Sequence, residues 1–323
     1  MTKINILSQG RFHMLDLARE LDHTGFDIKF YSFIPTSRCI KFGLQKKCIV
    51  SLFGIIAPFL ILRRIFPKLS WIHIKVQDFI MGIFMRKCDI CISLTGYVYA
   101  PRIAQKKGAI IIMERGSKHI LEQKKILEKN PHKKNEAIPN RNIKCNLKAY
   151  QFANFISVAS QHVKESFRLH QYPENRIFVN PYGVDLSMFK PLPNIPKKYD
   201  VIMVGGWGYE KGCDLIVEAI RKTNYSFIHV GSIKDVDFPQ EKNFTHIDPV
   251  DQSKLIEYYN QAKVFILPSR QDGFGMVLSQ ALACNLPIIG SNNCGAPDLK
   301  KMVELPEYIT CLLYTSPSPR DMR

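Results

Sequence analysis

Acidic side chains are scarce in the first three-fifths of this 323-residue chain. Up to Pro193 there are 31 Lys and Arg against 13 Asp and Glu, or +18, and the remainder holds 14 against 15, or −1, so the whole excess of +17 lies in the first part. Such an imbalance points to an anionic partner, whether membrane phospholipid, an acidic glycan or nucleic acid; the plainer alternative is a charged surface that only keeps the protein dissolved. Nucleic acid is the weakest of these, because there is no zinc finger, recognition motif or aromatic-interleaved basic patch. Organised cysteine is also missing. The nine thiols are scattered, and the C-x-x-C of Cys88 and Cys91 has no second pair at zinc spacing. In the strand-like "CDICISL", residues three apart face opposite sides, so buried free thiols are expected. No leader pattern precedes "MTKINIL", which begins directly as a strand, and a reducing cytoplasm fits the thiols.

A membrane-spanning run is absent as well. Ile49 to Leu62 carries no charge, and Arg63-Arg64 follow at once. As a helix that stretch would cover only about 21 Å, short of the roughly 30 Å hydrocarbon core, and Pro58 interrupts it. Two readings stay open: a buried core helix, or an anchor lying in the plane of the cytoplasmic membrane face with its arginines on lipid headgroups.

What is present is a repeated strand-and-helix rhythm in a chain long enough for two domains. "KINILSQ" is an apolar run ending at Gly10, "FHMLDLARELDHTG" has helical spacing, and "FDIKFYSF" is a second strand. Strand, glycine turn, helix, strand is the unit of a parallel sheet with right-handed crossovers. "CDICISL" and "GAIIIMERG" read as further strands, and Lys118–Lys148 as a basic helix-and-loop excursion or lid. The three prolines of "PLPNIPKK" make it the best linker, dividing residues 1–193 from 194–310. From Tyr199 the rhythm resumes through "YDVIMVGG", "SFIHVGS", "KVFILPS" and "LPIIGSN". After Glu307 the rhythm stops, and residues 311–323 read as a non-native tail on a truncated second domain.

Two stretches carry chemistry. In "VGGWGYEKG" a strand delivers Gly205, Gly206 and Gly208 to a turn that opens a helix, where free amides attract phosphate and Lys211 adds an ammonium. It fails as a dinucleotide fingerprint, because Lys211 stands where the third glycine should be. In "LPSRQDGFGMVLSQALACNLPIIGS", Asp272 precedes the turn Gly273-Phe274-Gly275, whose amides form a second anion seat, and Gln280 follows on the helix. A plain helix cap at Asp272 is the structural alternative.

This second stretch resembles the donor-binding signature of the retaining glycosyltransferases of family 4. "FISVASQHVKESF…RIFVNPYGVDLSMFKP", "VGGWGYEKGCDLIVEAI" and "LIEYYNQAKVFILPS" resemble other motifs of that family, in the same order. The resemblance implies a GT-B fold, two Rossmann-like parallel-sheet domains facing a cleft. It implies transfer of a sugar from a nucleotide-sugar donor to a glycan or lipid-linked acceptor with retention, and neither cofactor nor metal. Carried over by position, Lys211 would hold the donor diphosphate, and Asp272 would replace a glutamate on the donor sugar. Gln280 would replace a second glutamate on the ribose, a change that some members with a similar "QALAC" helix share. Gly273, Phe274 and Gly275 would present backbone to sugar and phosphate, and Gly10 would face the cleft. Gly206 stands where the family has an arginine, so that contact would be lost. "MERGSKHI" resembles a loop whose histidine reaches the donor sugar, making His119 the candidate, against a merely exposed histidine; Glu114 and Arg115 would pair with each other or touch acceptor. Asp235-Val236-Asp237 spells the metal motif of a different glycosyltransferase fold, and a solvated turn is the preferred reading. The substitutions at 206, 272 and 280 and the truncation motivate one alternative, a non-catalytic binding or scaffold protein; a GT-B-fold nucleotide-sugar epimerase is a second, against which the interdomain matches favour the transferases.

Overall fold

The computed structural model of the chain describes residues 1–66, 72–132, 138–304 and 306–312. Two parallel sheets organise it. The first contains β1 (Lys3–Leu7), β2 (Asp27–Ser32), β3 (Ile49–Ser51), β4 (Ile90–Leu94), β5 (Ile110–Arg115), β6 (Phe155–Val158) and β7 (Ile177–Val179), in the order β3-β2-β1-β4-β5-β6-β7. The second contains β8 (Tyr199–Val204), β9 (Phe227–Val230), β10 (Phe244–Ile247), β11 (Ala262–Leu267), β12 (Ile288–Ser291) and β13 (Ile309–Leu312), in the order β10-β9-β8-β11-β12-β13.

Both orders have the doubly wound form in which the first strand lies centrally and the chain reverses direction beside it. The strands are short β-branched runs because helices cover both faces of such a sheet. In the first sheet Ile4 of β1 registers with Ile28 and Ile90, and Ile4, Ile6, Ile28 and Phe30 join Met14, Leu15 and Ala18 of the helix Phe12–His23 in one core. In the second, Ile202, Phe227, Ile228, Phe265 and Ile288 pack with Cys213, Ile216 and Ile220 of the helix Cys213–Thr223 and Leu278 and Ala281 of the helix Met276–Ala283.

The chain separates into two compact units, one of residues 1–115, 139–157 and 174–178, the other of 116–138, 158–173 and 179–323. The division is interleaved rather than a single cut after Pro193. Residues 116–138 and 158–173 belong to the second unit because their partners lie there, as when the Gln161 amide donates to Asp298 Oδ1 at 3.0 Å.

Two expectations change. The strand rhythm does not stop after Glu307: β13 pairs in parallel with β12, Ile309 opposite Ile288. Residues 313–323, most of the expected tail, lie outside the described residues. The uncharged stretch from Ile49 is no buried core helix. It divides into β3 and the helix Phe53–Ile65, in which Ile56 is the buried side chain while Phe53, Ile55, Ile61, Leu62 and Ile65 are exposed. Cys88 and Cys91 are buried free thiols, as expected.

Candidate functional site

In an open doubly wound sheet, ligands gather beyond the carboxyl ends of the strands flanking the reversal. In the second sheet these are β8 and β11, and the loops leaving them are the two that carry Lys211 and Asp272. Lys211 Nζ donates to Asp272 Oδ2 at 2.5 Å. Burial pulls the Lys211 pKa down, but the Asp272 carboxylate, with Glu210, outweighs it and holds the ammonium charged above its ordinary range. The loops are laced by further bonds. Arg270 forks onto Asp214 at 2.6 and 2.7 Å and lies 3.8 Å over the Tyr209 ring, and Gln271 Nε2 donates to Glu210 Oε1.

The glycine loop does not offer the row of free amides expected of it. The Gly205 amide donates to Val230 O, Trp207 N to Ser232 O, Gly208 N to Cys213 Sγ and Tyr209 N to Asp235 Oδ1. Helix Cys213–Thr223 starts only after a 3-10 turn, Tyr209–Lys211. Phosphate attraction here therefore rests mainly on side chains. A cavity of about 200 Å³ opens at this loop, lined by Gly206, Gly208, Glu210, Lys211, Lys234 and Asp235, with Asn130 at its edge. That volume is below the roughly 300–1,000 Å³ of a pocket enclosing a whole drug-sized ligand, so it would take only part of one.

Asp235 does not behave as half of a metal-binding D-x-D. Its Oδ1 accepts the Tyr209 amide at 2.9 Å and its Oδ2 the Asn130 amide at 2.7 Å, so it fastens the loop. Neither is it the solvated turn residue expected of it, being half-buried.

The G-F-G turn is close-packed. A Cβ at Gly273 would collide with the Gly116 carbonyl, and Gly275 (φ +79°) adopts a left-handed conformation as it starts the helix Met276–Ala283. The Phe274 ring is fully buried against Tyr182. Both leading carbonyls are spent: Gly273 O accepts from Ser160 Oγ and Phe274 O from Gly295 N. The amides of Gly273, Phe274 and Gly275 find no acceptor among the described residues, so what the turn offers is its N–H groups. Gln280 is buried and its Oε1 accepts the Tyr259 hydroxyl at 3.0 Å. Only its amide NH₂ is left for a ribose, and it does not line the cavity.

His119 is not an exposed histidine. It is 4% exposed, stacked on His170 with ring centroids 4.1 Å apart and set edge-on to Phe167, and its Nδ1 accepts the Leu121 amide as a helix cap. The histidine bonded to the Asp272 loop is His162, on the helix Gln161–Arg168, which sequence reading passed over. Its Nε2 bonds Asp272 O at 2.8 Å and its Nδ1 meets Ser160 Oγ at 2.9 Å. Burial, then the nearby Lys118 charge, push its pKa down to about 4, so the ring is neutral at pH 7. Lys118 donates to Asn293 Oδ1 at 2.7 Å, and Asn293 O receives the Asp272 amide. The alternation "SQH" after a strand was the available signal, since Ser160 and His162 fall two residues apart and share a partner loop.

The first unit holds the remaining candidates. Gly10 O accepts from Ser8 Oγ at 2.8 Å, closing the turn after β1. Glu114 and Arg115 each have a partner within this unit. Glu114 meets His13 Nε2 at 3.3 Å, and Arg115 donates to Asn146 Oδ1 at 3.1 Å.

Comparison with known proteins agrees with this geometry. Residues 187–319 match the model of the family described as glycosyl transferases group 1. Curated relatives include a probable sucrose-phosphate synthase of Thermosipho melanesiensis, 25% identical over 178 residues, 47% of this chain and 42% of that protein. An uncharacterized 41.2 kDa protein in the cps region of Klebsiella pneumoniae is 30% identical over 140 residues, 39% of each. The chain thus matches about two-fifths of the length of these relatives. Among solved structures, Anabaena HepE in complex with UDP and glucose superposes with a TM-score of 0.63 at 13% identity, covering 98% of this chain and 86% of that one. This chain has the GT-B fold, and its likeness to the glycosyl transferases of group 1 lies over residues 187–319, which hold the second sheet and the loops of Lys211 and Asp272.

Proposed function

We propose that the chain transfers a sugar from a nucleoside diphosphate donor to a glycan or lipid-linked acceptor, with retention of anomeric configuration, in bacterial surface-polysaccharide assembly. The observation that carries this reading is the Lys211–Asp272 pair, joined at 2.5 Å beyond the ends of β8 and β11 next to the cavity that Lys211 lines. An ammonium held charged there is suited to the negative charge that grows on a departing nucleoside diphosphate. The unspent amides of the G-F-G turn add fixed dipoles that need no reorganisation as charge develops. Asp272, on the same turn, is the group for the donor sugar hydroxyls. With this cationic and dipolar seat the reaction needs no divalent ion. HepE, a structural neighbour, was solved with UDP and glucose, which favours a uridine donor as the first to try. The exposed apolar helix Phe53–Ile65 and the basic first part favour work at the cytoplasmic face of an anionic membrane.

A screen of UDP- and GDP-sugars for transfer or donor hydrolysis tests the reading, with and without EDTA. Turnover of one donor class, unchanged by the chelator, is expected. Nucleotide binding without any turnover would favour the non-catalytic alternative, and no binding of either nucleotide would remove the donor site.

A further inference from the structure

Gly206 is the position at which the family resemblance expects a cation and this chain has no side chain at all. The space is occupied. A Cβ built on Gly206 would overlap Lys234 Cε and sit 2.8 Å from Lys234 Nζ. Gly206 does not adopt a left-handed backbone angle, so the Lys234 side chain is what excludes a larger residue there.

The placement of Lys234 is fixed by its backbone. The chain leaving β9 runs beside the chain leaving β8, with a parallel bridge between Trp207 and Ile233. Trp207 N donates to Ser232 O at 2.8 Å and Lys234 N to Trp207 O at 2.9 Å. Trp207 itself is fully buried. This zipper lays the Lys234 stem across Gly206 and brings its ammonium to the cavity that Lys211 lines. Among the described residues no carboxylate pairs with Lys234, whereas Lys211 is already paired with Asp272. The two other carboxylates on the cavity wall are held by donors of the chain, Asp235 by Tyr209 N and Asn130, Glu210 by Gln271. Lys234 is therefore the cation with most to gain from an arriving anion.

We propose that Lys234, reaching over the bare backbone of Gly206, is the second diphosphate-binding cation of this site. It supplies from the β9 loop the charge that the resemblance assigns to an arginine at 206; the proposal rests on the donor reading above. Gly206 and Lys234 form one device, the glycine making room for the lysine.

The test is calorimetric binding of inorganic pyrophosphate, UDP and GDP to the full chain and its variants, with thermal melts to check folding. Lys234→Ala should weaken pyrophosphate and the preferred nucleotide by about tenfold, or about 1.4 kcal/mol. Lys234→Arg should retain most of the affinity. Gly206→Ala should leave the melting temperature nearly unchanged, because only a flexible side chain must move. It should weaken binding as Lys234→Ala does, and the double variant should be no weaker than either single one. Gly206→Arg on the Lys234→Ala background should recover affinity. Unchanged affinity in Lys234→Ala alongside a loss in Lys211→Ala would overturn the role of Lys234 and leave the donor site standing. Failure of the unaltered chain to bind any of the three probes would overturn both.

Discussion

At Lys211 two demands meet, because the ammonium that is to receive phosphate already has a partner. Asp272 holds it at 2.5 Å, with both side chains about four-fifths covered. Removing the carboxylate while keeping its shape separates the two roles. Asp272→Asn should lower stability by about 2–3 kcal/mol, the usual worth of a charged hydrogen bond lost from a covered site. It should at the same time tighten pyrophosphate binding roughly threefold to tenfold, since an anion no longer competes with Asp272 for the ammonium. Sugar transfer should fall. Melting curves, calorimetry and a transfer assay read the three effects separately, and weaker pyrophosphate binding would show that Asp272 orients Lys211 instead of competing for it. Lys211 and Asp272 were legible in sequence because each ends a strand-to-loop motif at a set spacing. The burial of His119 was not legible, because a histidine shortly past a glycine turn looks the same whether it lies exposed or caps a helix beside Phe167. Lys234 left no signal, since its position over Gly206 comes from the pairing of two loops distant in sequence.

At the scale of elements, the glycine loop is held from beneath by a histidine. His229 of β9 is fully buried, its Nε2 donates to Gly205 O at 2.8 Å, and its Nδ1 meets His246 Nδ1 at 2.9 Å. Burial lowers its pKa to about 4, from an ordinary value of 6.5. His162 under the Asp272 loop is lowered to about the same value, for the same first reason. The sign follows from proton counting. Between pH 6.5 and 4 the unfolded chain binds protons that these folded imidazoles refuse, so stability rises with pH across that window. Their contribution is complete above about pH 6.5 and is lost as pH falls towards 4, on the order of 3 kcal/mol at most for His229. Urea melts from about pH 7 to 4.5 should show this slope. His229→Gln, which keeps a donor for Gly205, should reduce it without unfolding the chain at pH 7; an unaltered slope would assign the effect to His162 or to carboxylates. The strands under both loops were legible as apolar runs, one ending in glycines and the other in Pro268-Ser269. The buried histidine was not, because "SFIHVGS" alternates identically whether its histidine faces water or Trp207.

At the scale of the whole chain the question is why the basic excess and the exposed apolar helix fall in the same part of the sequence. The uncharged run from Ile49 showed where apolar side chains are, not which face another element covers. The fold leaves several of them outward. Ile61 and Ile65 are each 65% exposed beside Arg63 and Arg64, and no helix among the described residues is long and apolar enough to cross a membrane. Burying such side chains in an interface is worth up to about 1.5–3 kcal/mol each, and nearby anionic headgroups add roughly 1 kcal/mol per basic residue. Neither term alone gives firm attachment, but together they do. Vesicles containing phosphatidylserine should therefore retain the protein at low salt. Raising salt from about 0.1 to 1 M, which shortens the screening length from roughly 10 to 3 Å, should release most of it. Ile61→Ser with Ile65→Ser should weaken retention at every salt concentration while leaving the melting temperature and pyrophosphate affinity unchanged, because neither side chain belongs to the core or lines the cavity. Retention indifferent to both salt and these substitutions would mean that another surface holds the vesicle, and the helix would then need a different occupant.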